Sequence, residues 1–97
     1  MIYKLTFLES AKKEWDKLGV TIKMQFKKKL ENRLSNPHII KDKLSGLKGC
    51  YKIKLRRAGY RLVYRVVDER IVIQVIVIAK RKEDLVYKLA HQRINNN

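Results

Sequence analysis

The sequence predicts a mixed α/β fold of the α+β type, in which a helical hairpin packs on one face of a small antiparallel sheet and the elements follow the order β-α-α-β-β-β-α. Two stretches after residue 50 alternate apolar and cationic residues, as half-buried strands do. A third stretch, IVIQVIVIA at residues 71–79, is nearly all apolar and β-branched, which is typical of a strand buried on both faces. Two earlier stretches repeat apolar residues at helical spacing.

The chain begins with a strand and a short helix. Residues 2–7, IYKLTF, alternate well enough to form a strand. Residues 10–18, SAKKEWDKL, predict a helix that Ser10 caps and Gly19 ends. Three apolar residues share one face of it: Ala11, Trp15 and Leu18.

A second helix follows directly, so the two helices form a hairpin. Thr21 is a suitable N-cap, and Asn36-Pro37 ends the helix because the residue before proline avoids helical geometry. Its apolar stripe recurs every four residues: Ile22, Phe26, Leu30 and Leu34. Residues 38–49 are expected to be a loop with a short turn.

Strands at 51–55 and 60–67 are predicted to form a hairpin with Lys54 opposite Arg61. This register also places Ile53 opposite Leu62 and Tyr51 opposite Tyr64, so that one face is apolar throughout. A slip by one residue would turn Arg61 toward the core, which is costly.

The third strand of the meander, 71–79, is expected to lie centrally and to end at Lys80-Arg81-Lys82. A closing helix is predicted at about 84–94, with Leu85, Leu89 and either Val86 or Ala90 facing the core. Tyr87 lies off that apolar stripe.

Length and charge limit the possible functions. Ninety-seven residues predict a single domain, 1–97, and the 24 Lys and Arg against 9 Asp and Glu give a net charge of +15. Such an excess favours a polyanionic partner: nucleic acid first, then an acidic protein, then an anionic membrane. The absence of a long apolar run argues against a membrane span or a signal peptide, and the single Cys50 suggests the cytosol.

Cations converge on the free face of the predicted sheet. Lys52, Lys54 and Arg61 share that face, Arg81 follows the central strand, and Tyr87 comes next on the closing helix. A solvated surface is the simpler interpretation, but such surfaces usually mix Lys with Glu, and like charges on paired strands cost stability. A phosphate-binding site is therefore the better hypothesis.

Motifs of other chemistries are missing. The sequence has no GxxxxGK[ST], HExxH or CxxC pattern, and His38 and His91 are isolated. We predict that Cys50 is a small core or edge residue and that no metal or other cofactor is required. Composition and spacing alone therefore indicate a basic RNA- or DNA-binding module.

Several segments resemble the RelE family of bacterial toxins, in the RelE/ParE superfamily. They are KEWDKLG, DKLSGLKGCYKIKLR, GYRLVYRVVDE, VIVIAKR and VYKLA, and the resemblance extends over about residues 2–94. It implies a RelE-like fold of the microbial ribonuclease type. It also implies a ribosome-dependent endoribonuclease that cuts messenger RNA in the ribosomal A site and thereby inhibits translation.

The resemblance maps the functional residues of the family onto five positions without substitution: Lys52, Lys54, Arg61, Arg81 and Tyr87. The implied reaction is attack by the ribose 2′-hydroxyl on the adjacent phosphate, which leaves a 2′,3′-cyclic phosphate. Lys54, crowded by like charges, is then the candidate base. Lys52 and Arg61 would stabilise the phosphorane, Arg81 would face the leaving oxygen, and Tyr87 would stack on a base or orient the substrate. We expect RNA to be bound by Lys52, Lys54, Arg56, Arg61 and Arg65.

The implied partners are the 70S ribosome with its messenger RNA and an acidic RelB-like antitoxin. Operator DNA would be contacted only through the antitoxin, with no membrane involved, in the cytoplasm of a bacterium or an archaeon. Two alternatives remain open: a toxin of the ParE type, which has the same fold but acts on DNA gyrase and lacks this set of cations, and a non-catalytic RNA-binding protein.

Overall fold

The computed structural model describes residues 2–82 and 85–95 and has the predicted order of elements. The helices and strands are β1 (Lys4–Phe7), α1 (Glu9–Asp16), α2 (Val20–Ser35), β2 (Cys50–Leu55), β3 (Tyr60–Val67), β4 (Val72–Lys80) and α3 (Leu85–Asn95). Short 3-10 helices lie at Ile40–Asp42 and Asp68–Arg70. The predicted start of the last helix at residue 84 lies outside the described residues.

The strands form one sheet in the order β1-β4-β3-β2. β2, β3 and β4 are antiparallel neighbours, and Lys54 lies opposite Arg61 as the sequence predicts. β4 is central, which explains its continuous apolar sequence. The first strand pairs in parallel with β4, so the sheet as a whole is mixed.

Each face of the sheet has its own apolar cluster. On one face α1 and α2 cover Ile53, Leu62 and Tyr64, with Phe26 and Leu30 fully buried on the helix side. On the opposite face α3 packs over a smaller cluster that includes Cys50, Val63, Val77, Val86 and Ala90. The cationic side chains of the hairpin therefore share their face of the sheet with α3.

The predicted helix caps are wrong, although the predicted helices are present. Ser10 and Thr21 lie inside their helices, and the N-cap positions belong to Leu8 and Gly19, neither of which makes a side-chain cap. The N–H of Leu8 still bonds to Val75 at the sheet, so the chain turns from strand to helix with no intervening loop. Tertiary pairing, rather than a capping side chain, fixes where α1 begins.

The apolar stripe of α3 is rotated from the expected one. Val86 and Ala90 are both buried, Leu89 is partly buried, and Leu85 is 40% exposed. The expectation for Leu85 is therefore wrong. This rotation keeps Tyr87 on the side of the helix that faces the cations of the sheet.

Tyr64 joins the sheet to the end of α2. Its hydroxyl donates to the Pro37 carbonyl at 2.7 Å and accepts from Arg33 at 2.9 Å, while Arg33 also pairs with Asp42 at 2.8 Å. The ring is fully buried and stacks on Tyr51. These bonds give the buried hydroxyl both its partners.

None of the helices in residues 2–82 and 85–95 is long and apolar enough to cross a membrane.

Candidate active site

The β2–β3 hairpin positions the first three cations. Lys52 and Lys54 alternate with buried Ile53, so both project from the face opposite α1 and α2. Lys54 lies directly opposite Arg61 in the antiparallel register. Lys52 lies opposite Val63, which is fully buried in the cluster under α3.

Arg81 joins them through a backbone contact. It follows the end of β4, and its N–H donates to the carbonyl of Gly59 in the β2–β3 turn. Gly59 has φ of +71°, a left-handed conformation that glycine adopts without strain. The turn and the end of β4 thereby enclose a cavity of about 270 Å³, lined by Lys54, Leu55, Arg56, Gly59, Arg61 and Arg81.

Tyr87 reaches the site from α3. Arg61 Nη1 donates to the Tyr87 hydroxyl at 3.2 Å, and the Arg61 guanidinium carbon lies 5.6 Å from the centroid of the ring. The contact is both a hydrogen bond and a cation–π interaction. It orients the arginine and holds the phenol beside the cavity.

The electrostatics of the site are set by repulsion between like charges. The pKa of the Lys54 ammonium is lowered from its ordinary value, first by the charge of Lys52, then by desolvation and by the charge of Arg61. The six residues that line the cavity include four cations and no acid. An anion such as a phosphodiester would relieve this repulsion, and a lysine with a lowered pKa is more often neutral and therefore available to accept a proton.

Arg65 is not brought to this cavity. It lies four residues along β3 from Arg61, about 13 Å away at the usual rise of a strand. Its guanidinium donates to Gln74 at 3.0 Å and lines a separate cavity of about 700 Å³ near residues 68–70. Arg56, in contrast, lines the cationic cavity.

Two residues that the sequence analysis left without a role connect α3 to the rest of the molecule. Arg93 of α3 forms a bidentate pair with Glu14 of α1, although the two are 79 positions apart. Separation of that length leaves no local pattern that could have revealed the pair.

Metal-binding residues do not cluster in the part of the chain that the structure describes. Residues 2–82 and 85–95 contain no group of three or more His, Cys, Asp or Glu side chains that could hold a metal ion. Cys50 is fully buried, and burial raises the pKa of its thiol to about 11. That pKa does not suit a nucleophilic cysteine.

Comparison with known proteins identifies related chains. The family model described as "ParE toxin of type II toxin-antitoxin system, parDE" matches residues 5–85. The mRNA interferase toxin RelE of Escherichia coli (strain K12) is 53% identical over 94 residues, which cover 97% of this chain and 99% of the relative. The mRNA interferase RelE of Shigella flexneri gives the same identity and coverage.

Solved structures agree with the sequence comparison. A doubly arginine-to-alanine substituted E. coli toxin RelE in the free state superposes with a TM-score of 0.89 at 52% identity and covers 97% of this chain and 99% of its own. The toxin in the intact E. coli RelBE toxin–antitoxin complex superposes with a TM-score of 0.81 at 53% identity and covers 84% of this chain and 99% of its own.

Proposed function

Because this chain belongs to the RelE/ParE family of type II toxin–antitoxin toxins, we propose that it is an endoribonuclease that cuts messenger RNA in the ribosomal A site. Its relatives named mRNA interferases are about half identical to it over nearly their whole length. The observation that carries the proposal is the acid-free cavity where Lys54, Arg61 and Arg81 meet. A cavity of this charge can bind one phosphodiester group of a single-stranded RNA.

The proposed reaction begins with the ribose 2′-hydroxyl. Its proton passes to the neutral amine of Lys54, and the 2′-oxygen forms a bond to the adjacent phosphorus. The bond from phosphorus to the 5′-oxygen then breaks, which gives a 2′,3′-cyclic phosphate and a 5′-hydroxyl. Lys54 is the proposed base because its pKa is lowered by its neighbours.

The remaining cations stabilise charge in the transition state. Lys52 and Arg61 flank Lys54 and would stabilise the pentacoordinate phosphorane. Arg81, which lines the same cavity, would stabilise the leaving 5′-oxygen until it takes a proton from water. An arginine is a poor proton donor, so its role is electrostatic. Tyr87, bonded to Arg61, would orient the substrate or stack on a base.

The ribosome would supply what this open site lacks. The neighbours whose charges lower the pKa of Lys54 most, Lys52 and Arg61, are only partly buried, and nothing in the cavity itself would force the 2′-oxygen into line with the leaving group. A ribosome that holds the codon would fix that geometry, and proximity effects of this kind contribute several kcal/mol. We accordingly propose that the protein acts in the cytoplasm on translating ribosomes.

An acidic antitoxin is the second proposed partner. The net charge of +15 favours binding of a segment rich in Asp and Glu. The related RelE toxin of E. coli, 53% identical to this chain, forms a complex with its antitoxin RelB. We propose that the antitoxin of this chain binds in a similar way and restrains its activity.

A gyrase-directed activity is the second candidate, since the matching family model is named for ParE. The cationic cavity favours RNA instead, because Lys54, Arg61 and Arg81 have no structural role in the core. The two functions differ in what happens to messenger RNA and to supercoiled DNA.

Primer extension on messenger RNA from translating ribosomes tests the proposal. Added protein should produce in-frame cuts at A-site codons. The Arg61→Ala variant should make these cuts at a rate about 10²–10³-fold lower. Lys28→Ala, which removes an exposed cation of α2, is the matched control and should cut normally. Uncut messenger RNA together with inhibited gyrase would instead identify the second candidate.

A further inference from the structure

The edge of β4 is covered by side chains where β1 stops. β1 pairs with β4 only as far as Phe7 opposite Val75, whereas β4 continues to Lys80. Just beyond the paired stretch, the N–H of Ile78 donates to Glu14 Oε1 at 3.0 Å, and the carbonyl of Ile76 accepts from Arg93 Nη1 at 2.8 Å. Two side chains thus replace the missing strand.

These two side chains also bind each other. Arg93 Nη1 and Nη2 donate to Glu14 Oε1 and Oε2, both at 2.8 Å, and the side chains are only 18% and 27% exposed. A bidentate, partly buried pair is geometrically specific in a way that exposed ion pairs are not. We call Glu14, Arg93 and their two backbone partners the edge clamp.

The edge clamp joins three elements, α1, β4 and α3. The other described contacts of α3 with the sheet are largely apolar, through Val86 and Ala90. Apolar contact is non-directional and leaves the helix some freedom to rotate and slide. The fork of Arg93 removes that freedom because its hydrogen bonds fix both its distance from β4 and its direction.

The same helix carries Tyr87. Six residues, or about 9 Å of helix, separate Tyr87 from Arg93. Tyr87 must be placed well enough for its hydroxyl to lie 3.2 Å from Arg61, whose strand neighbour is Ala79 of β4. Arg93 therefore holds α3 to the same strand that positions Arg61.

We propose that Glu14 and Arg93 are positioning residues that hold Tyr87 against Arg61 in the active site. The inference rests on the proposed function, since its consequence is measured as RNA cleavage. Glu14 and Arg93 lie outside the cationic cavity, so they would affect cleavage only through Tyr87.

Single-turnover cleavage of ribosome-bound messenger RNA measures that consequence. Arg93→Gln and Glu14→Gln should each lower the rate about 10- to 100-fold, as expected from misplacing a catalytic group by about an ångström. The concentration of ribosomes giving half-maximal rate should stay unchanged, because the edge clamp is remote from the RNA-binding cations. Lys12→Gln and Asp16→Asn make the same changes of charge in an exposed ion pair of α1 and should cleave normally.

A thermodynamic cycle with Tyr87→Ala separates positioning from general loss of stability. If Arg93 acts through Tyr87, Arg93→Gln should cost little further rate once Tyr87 is removed. An equal loss in both backgrounds, with both proteins folded by circular dichroism, would overturn the proposal. So would an unchanged rate in Arg93→Gln.

NMR of the Tyr87 ring keeps this test independent of the proposed function. The ring resonances should shift in Arg93→Gln and stay in place in Asp16→Asn. If the unsubstituted protein fails to cut ribosome-bound RNA, the proposed function fails, and the NMR comparison still decides whether the edge clamp positions Tyr87. Unmoved ring resonances in Arg93→Gln would refute the positioning.

Discussion

Replacing Lys52 with glutamine should move the pH dependence of RNA cleavage to higher pH. Lys54 can accept the proton of the 2′-hydroxyl only as the neutral amine, and the charge of Lys52 is the largest cause of its lowered pKa. Removing that charge raises the pKa of Lys54 back toward its ordinary value. A smaller fraction of the enzyme then carries the active base at any given pH.

The magnitude follows from the titration of a lysine. An ordinary lysine with a pKa of about 10.4 is neutral in roughly one molecule in 2,500 at pH 7, and each unit by which the pKa falls raises that fraction tenfold. Below the pKa, the cleavage rate should therefore rise about tenfold per pH unit in both proteins. The whole profile, rather than its slope, should be displaced toward alkaline pH in Lys52→Gln.

The contacts of Lys54 also predict an order among substitutions. Lys52 contributes most to the lowered pKa, Arg61 contributes less, and Arg56 contributes least of the three. Glutamine at these positions should displace the profile in the same order. Lys52 and Arg61 also stabilise the phosphorane in our proposal, so their variants should in addition reach a lower maximal rate.

Single-turnover cleavage of programmed ribosomes, measured across the pH range that ribosomes tolerate, provides the assay. Lys28→Gln is the matched control, because it removes one exposed lysine from α2 on the opposite face of the sheet. Its profile should coincide with that of the unsubstituted protein. If the rate of the unsubstituted protein does not rise with pH, or if Lys52→Gln cuts as fast as that protein at every pH, Lys54 is not the base and the reasoning is refuted.

Three further outcomes are expected. Arg81→Ala should lower single-turnover cleavage about 10²–10³-fold without changing the unfolding midpoint, because Arg81 is exposed; near-normal cleavage would remove it from the site. Lys54→Arg should lower the rate about 10²–10⁴-fold because arginine stays protonated, whereas Lys52→Arg, which keeps its charge, should lose less; equal losses would leave base and stabiliser unassigned. Tyr64→Phe should lower the free energy of unfolding by about 1–3 kcal/mol, measured in urea, because it leaves the buried Pro37 carbonyl unpaired and removes one partner of Arg33; Tyr51→Phe, in the ring stacked on it, is the control.

Local patterns of side chains were sufficient to predict most of the fold. The register of the β2–β3 hairpin follows from the sequence because a shift of one residue would bury Arg61 and expose Leu62. The central position of β4 follows from its continuous apolar run, and the end of α2 from Pro37. The candidate cations followed from the same alternation, together with the resemblance that assigned their roles.

Other features depend on parts of the chain that are far apart, and only the tertiary structure decided them. The parallel pairing of β1 with β4 joins residues about 68 positions apart, and no turn between them fixes its register. The cap at Ser10 was wrong because strand pairing at Leu8 sets where α1 begins, and the cap at Thr21 was wrong because α2 begins at Val20 after Gly19.

The residues of the site were likewise predicted in part from the sequence and decided in part by the tertiary structure. The sequence analysis grouped Arg65 with Arg61 as an RNA-binding residue, but Arg65 lies four residues further along β3 and lines another cavity beside Gln74. The contact between Glu14 and Arg93 had no sequence signal at all. The periodicity of apolar residues predicts which face of a strand or helix a residue occupies. The neighbours of that residue in space depend on how the elements pack, and the sequence pattern of one element does not contain that information.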